Sequence, residues 1–253
     1  MTSQHGEEKT SPQSTTDAPT VTSVEDLATR FPIASLPCEF GKYELLEVLG
    51  HGGMGIVYKA REISTNRHIA LKMVRSVLSN SQVALERFEG EFRTVANLKH
   101  THIVVLHDVG EVNGQWYFTM ELLEGGSLFD ELQKRPLEPT GAARLIYQIA
   151  QASHFAHQKM IFHRDIKPQN ILLTTPLTGS GLPQPTTMAR LSDFGLARSE
   201  DNTGQSIPGQ AMGTPSYMPP EQARGDWNQI APTSDVYSLG DTLYTILTGT
   251  PPF

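Results

Sequence analysis

The chain of 253 residues contains a single cysteine, Cys38. One thiol cannot form an internal disulfide, so nothing in the composition points to an oxidising compartment. No stretch approaches the roughly 18 consecutive apolar residues that a membrane-spanning helix needs. Residues 1–9 lack the basic start and the apolar run of a secretory signal. We therefore expect a cytoplasmic protein with no membrane span within this chain.

An excess of positive charge is missing as well. The chain has 20 Lys and Arg against 27 Asp and Glu, a formal net charge of −7. This balance argues against a surface that condenses on nucleic-acid phosphates or anionic lipid. The hydrophobic share of 38% is close to the average of globular proteins, so we expect most of the chain to fold.

The apolar residues are unevenly distributed along the chain. Residues 1–40 are rich in Ser, Thr, Pro, Gln and acids, and this composition predicts a disordered tail. From residue 43 onward, β-like runs and one helical pattern near residues 81–100 precede a mainly helical region that begins after Gly125 and Gly126. A β-rich front and an α-rich back predict an α+β protein of two lobes, residues 43–122 and 123–253.

A glycine pattern lies in the first β-like region, at Gly50, Gly52 and Gly55. The same spacing occurs in dinucleotide-binding turns, but a helix follows the glycines there. Here a β-branched and aromatic run, residues 56–58, continues as a strand. The glycines are therefore predicted to form the tip of a hairpin, either a flap over a triphosphate or an ordinary turn.

Lys72 lies within an otherwise apolar strand, where a charge is costly without an anionic partner. Glu91, on the predicted helix, is a candidate for that partner, and a phosphate is another. A lysine at the rim beside an unrelated glutamate is the alternative interpretation.

Two later motifs identify a family. Residues 163–170 read His-Arg-Asp-Ile-Lys-Pro-Gln-Asn, and residues 193–195 read Asp-Phe-Gly. With the glycine pattern, Ala-Leu-Lys at 70–72 and Pro-Pro-Glu at 219–221, they occur in the order found in eukaryotic-like protein kinases, which residues 43–253 resemble. Within that family the chain looks most like the bacterial Ser/Thr kinases.

The resemblance implies roles for the residues that match the motifs. Asp165 would orient the substrate hydroxyl, Lys167 would place a cation beside the γ-phosphate, and Lys72 paired with Glu91 would hold the α and β phosphates. Asn170 and Asp193 would bind Mg²⁺, with Mn²⁺ as an alternative ion. The implied cofactors are thus ATP and a divalent metal.

The resemblance also implies an adenine slot under the glycine flap, with Met120 as gatekeeper. The residues expected around the nucleotide are Leu49, Gly50, Gly52, Gly55, Val57, Ala70, Lys72, Met120, Glu121, Leu123 and Leu172. Further expectations are a stacked spine (Val95, Leu106, His163 and Phe194) and a buried Asp235 that supports the catalytic loop backbone. Thr203 and Ser206 are the candidate phosphorylation sites, and a homodimer is one arrangement compatible with autophosphorylation.

The chain departs from the family pattern in two places. Between Asn170 and Asp193 lie 22 residues, and the excess, residues 175–187, is expected to form an exposed hairpin-tip loop. After Phe253 the family continues with several more helices, so the domain is expected to lack its last helices, to be less stable, to dock peptides poorly, and to leave Glu221 without its arginine partner.

The resemblance implies a signalling enzyme, a non-specific serine/threonine protein kinase that phosphorylates protein substrates and its own activation loop. The alternative is a catalytically impaired ATP-binding scaffold, a pseudokinase-like fragment. The presence of all five catalytic residues (Lys72, Glu91, Asp165, Asn170 and Asp193) argues against that alternative. A longer natural form could carry a membrane anchor beyond residue 253.

Overall fold

The described part of the chain contains eight β-strands and five α-helices. The structure is a computed structural model, and it describes residues 35–52, 55–74, 82–134, 136–177, 186–194 and 215–253. The strands are β1 (Cys38–Phe40), β2 (Tyr43–Gly52), β3 (Gly55–Glu62), β4 (Arg67–Val74), β5 (Leu106–Val112), β6 (Gln115–Glu121), β7 (Ile171–Leu173) and β8 (Ala189–Leu191). The α-helices are α1 (Gln82–Ala96), α2 (Leu128–Leu132), α3 (Pro139–His157), α4 (Pro220–Ala223) and α5 (Pro232–Thr248).

The first six strands form one antiparallel sheet in the order β1-β2-β3-β4-β6-β5. Strands β1 to β4 are neighbours in chain order, as the sequence predicts for β2, β3 and β4, whereas helix α1 lies between β4 and β5. The turn between β5 and β6 consists of Asn113 and Gly114, whose φ angles of 52° and 79° both lie in the left-handed region. Asn and Gly tolerate this conformation, so the predicted hairpin is confirmed.

Strand β1 lies inside the segment that the sequence assigns to a disordered tail. Its three residues pair with the start of β2, and Phe40 packs edge-on against Tyr117 with 5.4 Å between ring centroids. Aromatic packing on the sheet thus orders residues that composition alone places in the tail. Residues 1–34 are outside the described part of the chain.

Helix α1 packs its apolar face on the sheet. The rings of Phe88 and Phe92 lie 6.4 Å and 6.1 Å from that of Phe118 on β6. Both α1 phenylalanines are buried, as their helical spacing predicts. The helix ends at Ala96, before the predicted end near residue 100, and the N–H of Leu98 donates to the carbonyl of Val95 in the turn that follows.

The second half of the described chain is mainly helical. Helix α2 begins with a capping box in which Ser127 and Asp130 satisfy each other's backbone N–H groups. Helix α3 packs against α5 and contributes Leu145 and Ile149 to a core that also includes Ile246 of α5. No helix among the described residues is long and apolar enough to span a bilayer.

Strands β7 and β8 form a separate antiparallel pair. Their ends bracket the insertion predicted at residues 175–187. The hydroxyls of Thr175 and Thr187 lie 2.7 Å apart, and the N–H of Thr174 donates to the carbonyl of Met188. The predicted hairpin position is therefore confirmed, whereas residues 178–185 lie outside the described part.

Candidate active site

The strand register gathers the predicted nucleotide-binding side chains on one face of the sheet. Val57 on β3 is the cross-strand partner of Lys72 on β4, and Ala70 is the partner of Met120 on β6. Cross-strand partners project from the same face, as do residues two apart along a strand. Val57, Ala70, Lys72 and Met120 therefore share the face from which the Lys72 ammonium reaches Asp193.

The charge on Lys72 is compensated by Asp193. Lys72 Nζ lies 2.7 Å from Asp193 Oδ1, and it also lies 5.7 Å from the centroid of the Phe118 ring. Asp193 is thus an anionic partner of Lys72 among the described residues, and the pairing of Lys72 with Glu91 stays a prediction. Because the Lys72 side chain is only 10% exposed, it still has the anionic partner that its burial demands.

The catalytic loop, residues 163–170, brings three predicted residues into contact. Asp165 Oδ2 lies 2.9 Å from Lys167 Nζ and accepts a hydrogen bond of 3.0 Å from Asn170 Nδ2. The same Asn170 nitrogen donates to the Asp165 carbonyl at 2.8 Å. These contacts hold the carboxylate in one orientation beside a cation, which is the arrangement that an oriented phosphoacceptor requires.

Backbone contacts bring Asn170 and Asp193 to the same place. The carbonyl of Asn170 accepts hydrogen bonds from the N–H and the hydroxyl of Ser192, at 2.9 Å and 3.1 Å. Asp193 follows directly, with a φ of 59°, an uncommon conformation for a residue other than glycine and one that occurs at functional sites. The Asn170 amide oxygen and the Asp193 carboxylate are hard oxygen groups of the kind that Mg²⁺ binds, so their role as metal ligands stays a prediction.

His163 anchors the start of the catalytic loop. Its Nε2 donates to the Ser192 carbonyl at 2.7 Å, and its Nδ1 accepts from the N–H of Asp165 at 3.2 Å. These two roles require the neutral ring, and burial lowers the pKa of His163 in spite of the neighbouring carboxylates. The ring also packs on Phe194, 4.7 Å away, so these two members of the predicted spine are in contact.

Asp235 on α5 supports the loop from below, as the sequence predicts. One carboxylate oxygen accepts from the N–H of His163 at 2.9 Å and from His157 Nε2 at 2.7 Å. The other accepts from the N–H of Arg164 at 2.8 Å. Burial opposes ionisation of this fully buried group, but the hydrogen bonds outweigh it, so the pKa of Asp235 is lowered.

The glycine pattern lies where β2 turns into β3, which confirms the predicted hairpin. A Cβ on Gly55, whose φ is +139°, would lie 1.8 Å from the carbonyl oxygen of Met73 on β4. Glycine at this position is thus required by the close approach of the neighbouring strand. A Cβ on Gly50 would meet nothing within 4 Å, so the fold itself leaves room there.

The remaining predicted slot residues differ in exposure. Leu172 on β7 is half-buried against the core, Leu49 on β2 is 48% exposed, and Leu123 is half-buried just after β6. Glu121 is the last residue of β6, and its side chain forms an ion pair with Arg190 of β8.

Other predicted residues have different outcomes. Thr203 and Ser206 lie outside the described residues. Glu221, expected to lack an arginine partner, accepts a hydrogen bond of 2.6 Å from the Ser234 hydroxyl, and this bond lowers its pKa. The sequence did not predict the contacts of His157, Ser234 and Arg190, which join residues 78, 13 and 69 positions apart and belong to no local motif.

Comparison with known proteins shows which proteins the chain is similar to. Residues 43–253 match the family described as protein kinase domain. The serine/threonine-protein kinase PknD of Mycobacterium tuberculosis is 40% identical over 216 residues, which cover 85% of this chain and 31% of that protein. PknB from the same species is 39% identical over 219 residues, 84% of this chain and 33% of that protein. The chain therefore spans about a third of the length of these curated relatives.

The fold is similar to that of a solved bacterial structure. A double mutant of the Mycobacterium tuberculosis PknI kinase domain superposes with a TM-score of 0.68 at 26% identity. The superposition covers 86% of this chain and 80% of that one. The bilobal α+β architecture expected from the sequence is thereby confirmed.

Proposed function

Since this chain belongs to the protein kinase family, we propose that it transfers the γ-phosphate of ATP to serine and threonine hydroxyls of proteins. The observation that carries the proposal is the contact set of the catalytic loop, in which Asp165 is held by Lys167 and Asn170. A carboxylate fixed beside a lysine can orient a hydroxyl while the lysine balances negative charge on the transferred group.

The residues present fit ATP and a divalent metal. Asn170 and Asp193 would hold Mg²⁺, with Mn²⁺ as the alternative, and Val57, Ala70, Met120 and Leu172 would enclose the adenine. The bound metal nucleotide supplies the phosphoryl group and neutralises part of its charge. Lys72, which compensates Asp193 in this structure, would exchange that partner for phosphate oxygens.

In the proposed mechanism the chain contributes position and charge. Asp165 accepts a hydrogen bond from the substrate hydroxyl and directs its oxygen toward the phosphorus atom. Lys167 and Lys72 place positive charge on two sides of the transferred group. Asp235 acts through the backbone, because it fixes the N–H groups of His163 and Arg164 and so the start of the loop.

We further propose that the chain phosphorylates its own activation segment, at Thr203 and Ser206, within a homodimer. Both hydroxyls lie between the Asp-Phe-Gly motif and Pro-Pro-Glu at 219–221, and Arg164 precedes the catalytic aspartate, where a guanidinium can bind a phosphate.

Intact-mass measurement with ATP and Mg²⁺ tests the proposal. We expect the parent chain to gain phosphate and the Asp165→Asn variant to gain none. Asp226→Asn, which changes an aspartate paired with Arg224 at the surface, is the matched control and should behave like the parent. Peptide mapping then shows whether the added phosphate lies within residues 199–206, and a parent chain that binds ATP but gains no phosphate would contradict transfer.

The scaffold alternative has one observation in its favour. Lys72 pairs with Asp193, a predicted metal ligand. A chain that keeps this pairing would bind nucleotide without transferring phosphate, so measuring ATP binding and mass gain in the same sample distinguishes the two functions.

A further inference from the structure

A second ion pair lies behind the adenine slot, between the end of β6 and strand β8. Both carboxylate oxygens of Glu121 accept hydrogen bonds from Arg190 Nη1 at 2.5 Å. Glu121 Oε1 also accepts from the N–H of Val105 at 2.8 Å, and the N–H of Glu121 donates to the Val105 carbonyl at 3.0 Å. One side chain therefore joins three segments that are distant in the sequence.

The ion pair connects two predicted walls of the slot. Arg190 is the cross-strand partner of Leu172, so the two side chains project from the same face of the β7–β8 pair. Because Arg190 reaches Glu121, this face turns toward the hinge, residues 121–123. We call Leu172 the floor of the slot and residues 121–123 its hinge, and the Glu121–Arg190 ion pair thus ties the two together.

Strand β8 is attached to the same region by its backbone. The N–H of Val104 donates to the Leu191 carbonyl at 3.0 Å, and the N–H of Leu191 donates to the His102 carbonyl at 2.9 Å. These bonds fix β8 along its length but do not reach the hinge. Arg190 and Glu121 form an ion pair that does connect β8 to the hinge.

The ion pair is also partly desolvated. The side chains of Arg190 and Glu121 are 19% and 21% exposed, and Arg190 Nε is buried without a hydrogen-bond partner. A guanidinium in this position depends on its carboxylate, because the charge would otherwise be poorly solvated. If Arg190 is removed, the Glu121 carboxylate still accepts the hydrogen bond from the Val105 N–H. Changing Arg190 should therefore cost less stability than changing Glu121.

We propose that Glu121 and Arg190 are positioning residues that set the distance between hinge and floor and so determine the affinity for the adenine nucleotide. The inference rests on the proposed binding of ATP. The pair touches neither Asp165 nor Lys167, so its loss should weaken nucleotide binding more than it slows phosphoryl transfer at saturating ATP.

The test compares Arg190→Met with Arg61→Met. Arg61 also pairs with a glutamate between strands, Glu44, but far from the hinge in sequence and with no predicted role in binding. We expect both variants to unfold at lower temperature than the parent. Only Arg190→Met should raise the dissociation constant and the KM for ATP with Mg²⁺, by about tenfold, with kcat within about threefold of the parent.

Two further variants separate positioning from general stability. Arg190→Lys retains the charge and should recover part of the affinity, although it loses the fork geometry of the guanidinium. Glu121→Gln should weaken binding in the parent but have little added effect in the Arg190→Met background, as expected for two residues that act through one contact. If Arg190→Met does not fold, Arg190→Lys and Glu121→Gln still test the inference.

Each outcome has a defined meaning. An Arg190→Met chain that binds ATP as tightly as the parent overturns the inference and leaves the proposed function intact. Equal losses of affinity in Arg190→Met and Arg61→Met also overturn it, because they indicate a general effect of stability. A folded parent chain that binds no ATP overturns the proposed function, and the inference with it.

Discussion

The six-stranded sheet and the catalytic loop bury different kinds of side chain. In the sheet, most of the fully buried side chains are apolar or aromatic, such as Ile56, Tyr58 and Leu71. Around the loop several buried side chains are polar, and His163, Ser192 and Asp235 are all less than 4% exposed. The sheet is thus stabilised by area removed from water, whereas the loop depends on a few hydrogen bonds that must all be made.

This difference predicts two kinds of response to mutation. Loss of one apolar side chain from the sheet lowers the free energy of unfolding but leaves neighbouring contacts in place. Loss of Asp235 leaves three donors without an acceptor at once, the N–H groups of His163 and Arg164 and the ring of His157. Mutations in the sheet should therefore lower stability by graded amounts, whereas mutations at the loop should mainly lower phosphate transfer.

The largest effect is expected for Asp235→Ala. Breaking a buried charged network costs about 3 to 5 kcal/mol, and the loop loses its support in molecules that remain folded. We expect phosphate transfer to fall to background even at temperatures where circular dichroism shows a folded chain. Asp226→Ala, at the surface, is the control, and an Asp235→Ala chain with normal transfer would contradict the role of this residue.

Leu71→Ala should have the opposite effect to Asp235→Ala, because it should lower stability while activity is retained. Leu71 is fully buried in β4, and truncating such a side chain costs about 2 to 5 kcal/mol through lost burial and the cavity left behind. Urea denaturation should show the loss, while kcat measured well below the unfolding midpoint should stay close to that of the parent. A large fall in kcat with little loss of stability would contradict the predicted difference between sheet and loop.

The glycine turn offers a matched pair of variants within the sheet. Gly55→Ala places a Cβ against the Met73 carbonyl and demands a positive φ, so it should cost about 1 to 3 kcal/mol of stability. Gly50→Ala meets no protein atom, so its midpoint of unfolding should be nearly unchanged. Differential scanning fluorimetry of both variants measures this contrast, and equal losses of stability would contradict it.

The smallest expected effect is a dependence of stability on pH. Burial lowers the pKa of His163 below the ordinary value of 6.5, and burial and the nearby His102 ring lower that of His100 in the same direction. The unfolded chain takes up protons as the pH falls through 6.5, whereas the folded chain does not. The free energy of unfolding should therefore be constant above this pH and fall below it, by up to about 1.4 kcal/mol per pH unit for His163.

Denaturation at pH 7.5, 6.5 and 5.5 measures this slope. His100 is half-exposed and contributes less than His163, because solvent screens its interactions. His100→Gln should reduce the slope modestly. At pH 7.5 its free energy of unfolding should differ from that of the parent only through the lost stacking on Phe155. A slope of the opposite sign would show that these rings are protonated in the folded protein.

The comparison also explains which parts of the structure the sequence could predict. The sheet repeats a local pattern, so its strands, the Asn113-Gly114 turn and the buried phenylalanines of α1 follow from alternation and helical spacing. The motif residues Asp165, Asn170 and Asp193 were found because the resemblance assigns them directly. Strand β1 was missed because its order comes from packing of Phe40 on Tyr117, 77 positions away in the sequence.

The contacts of the polar side chains could not be predicted in the same way. His157 and Asp235 are 78 residues apart, and Glu121 and Arg190 are 69 residues apart. A carboxylate has many possible donors in an amphipathic sequence, and only the folded backbone decides which one it meets. For the same reason the sequence did not predict that Asp193 is a partner of Lys72.

The hydroxyl contact between Thr175 and Thr187 has a practical consequence for protein engineering. This contact brings the two ends of the connection between β7 and β8 close together. Lengthening a connection whose ends are close costs only about 0.6 kcal/mol for each doubling of its length. An epitope or a fluorescent reporter could therefore replace residues 178–185 while the two threonines keep the register of the strands.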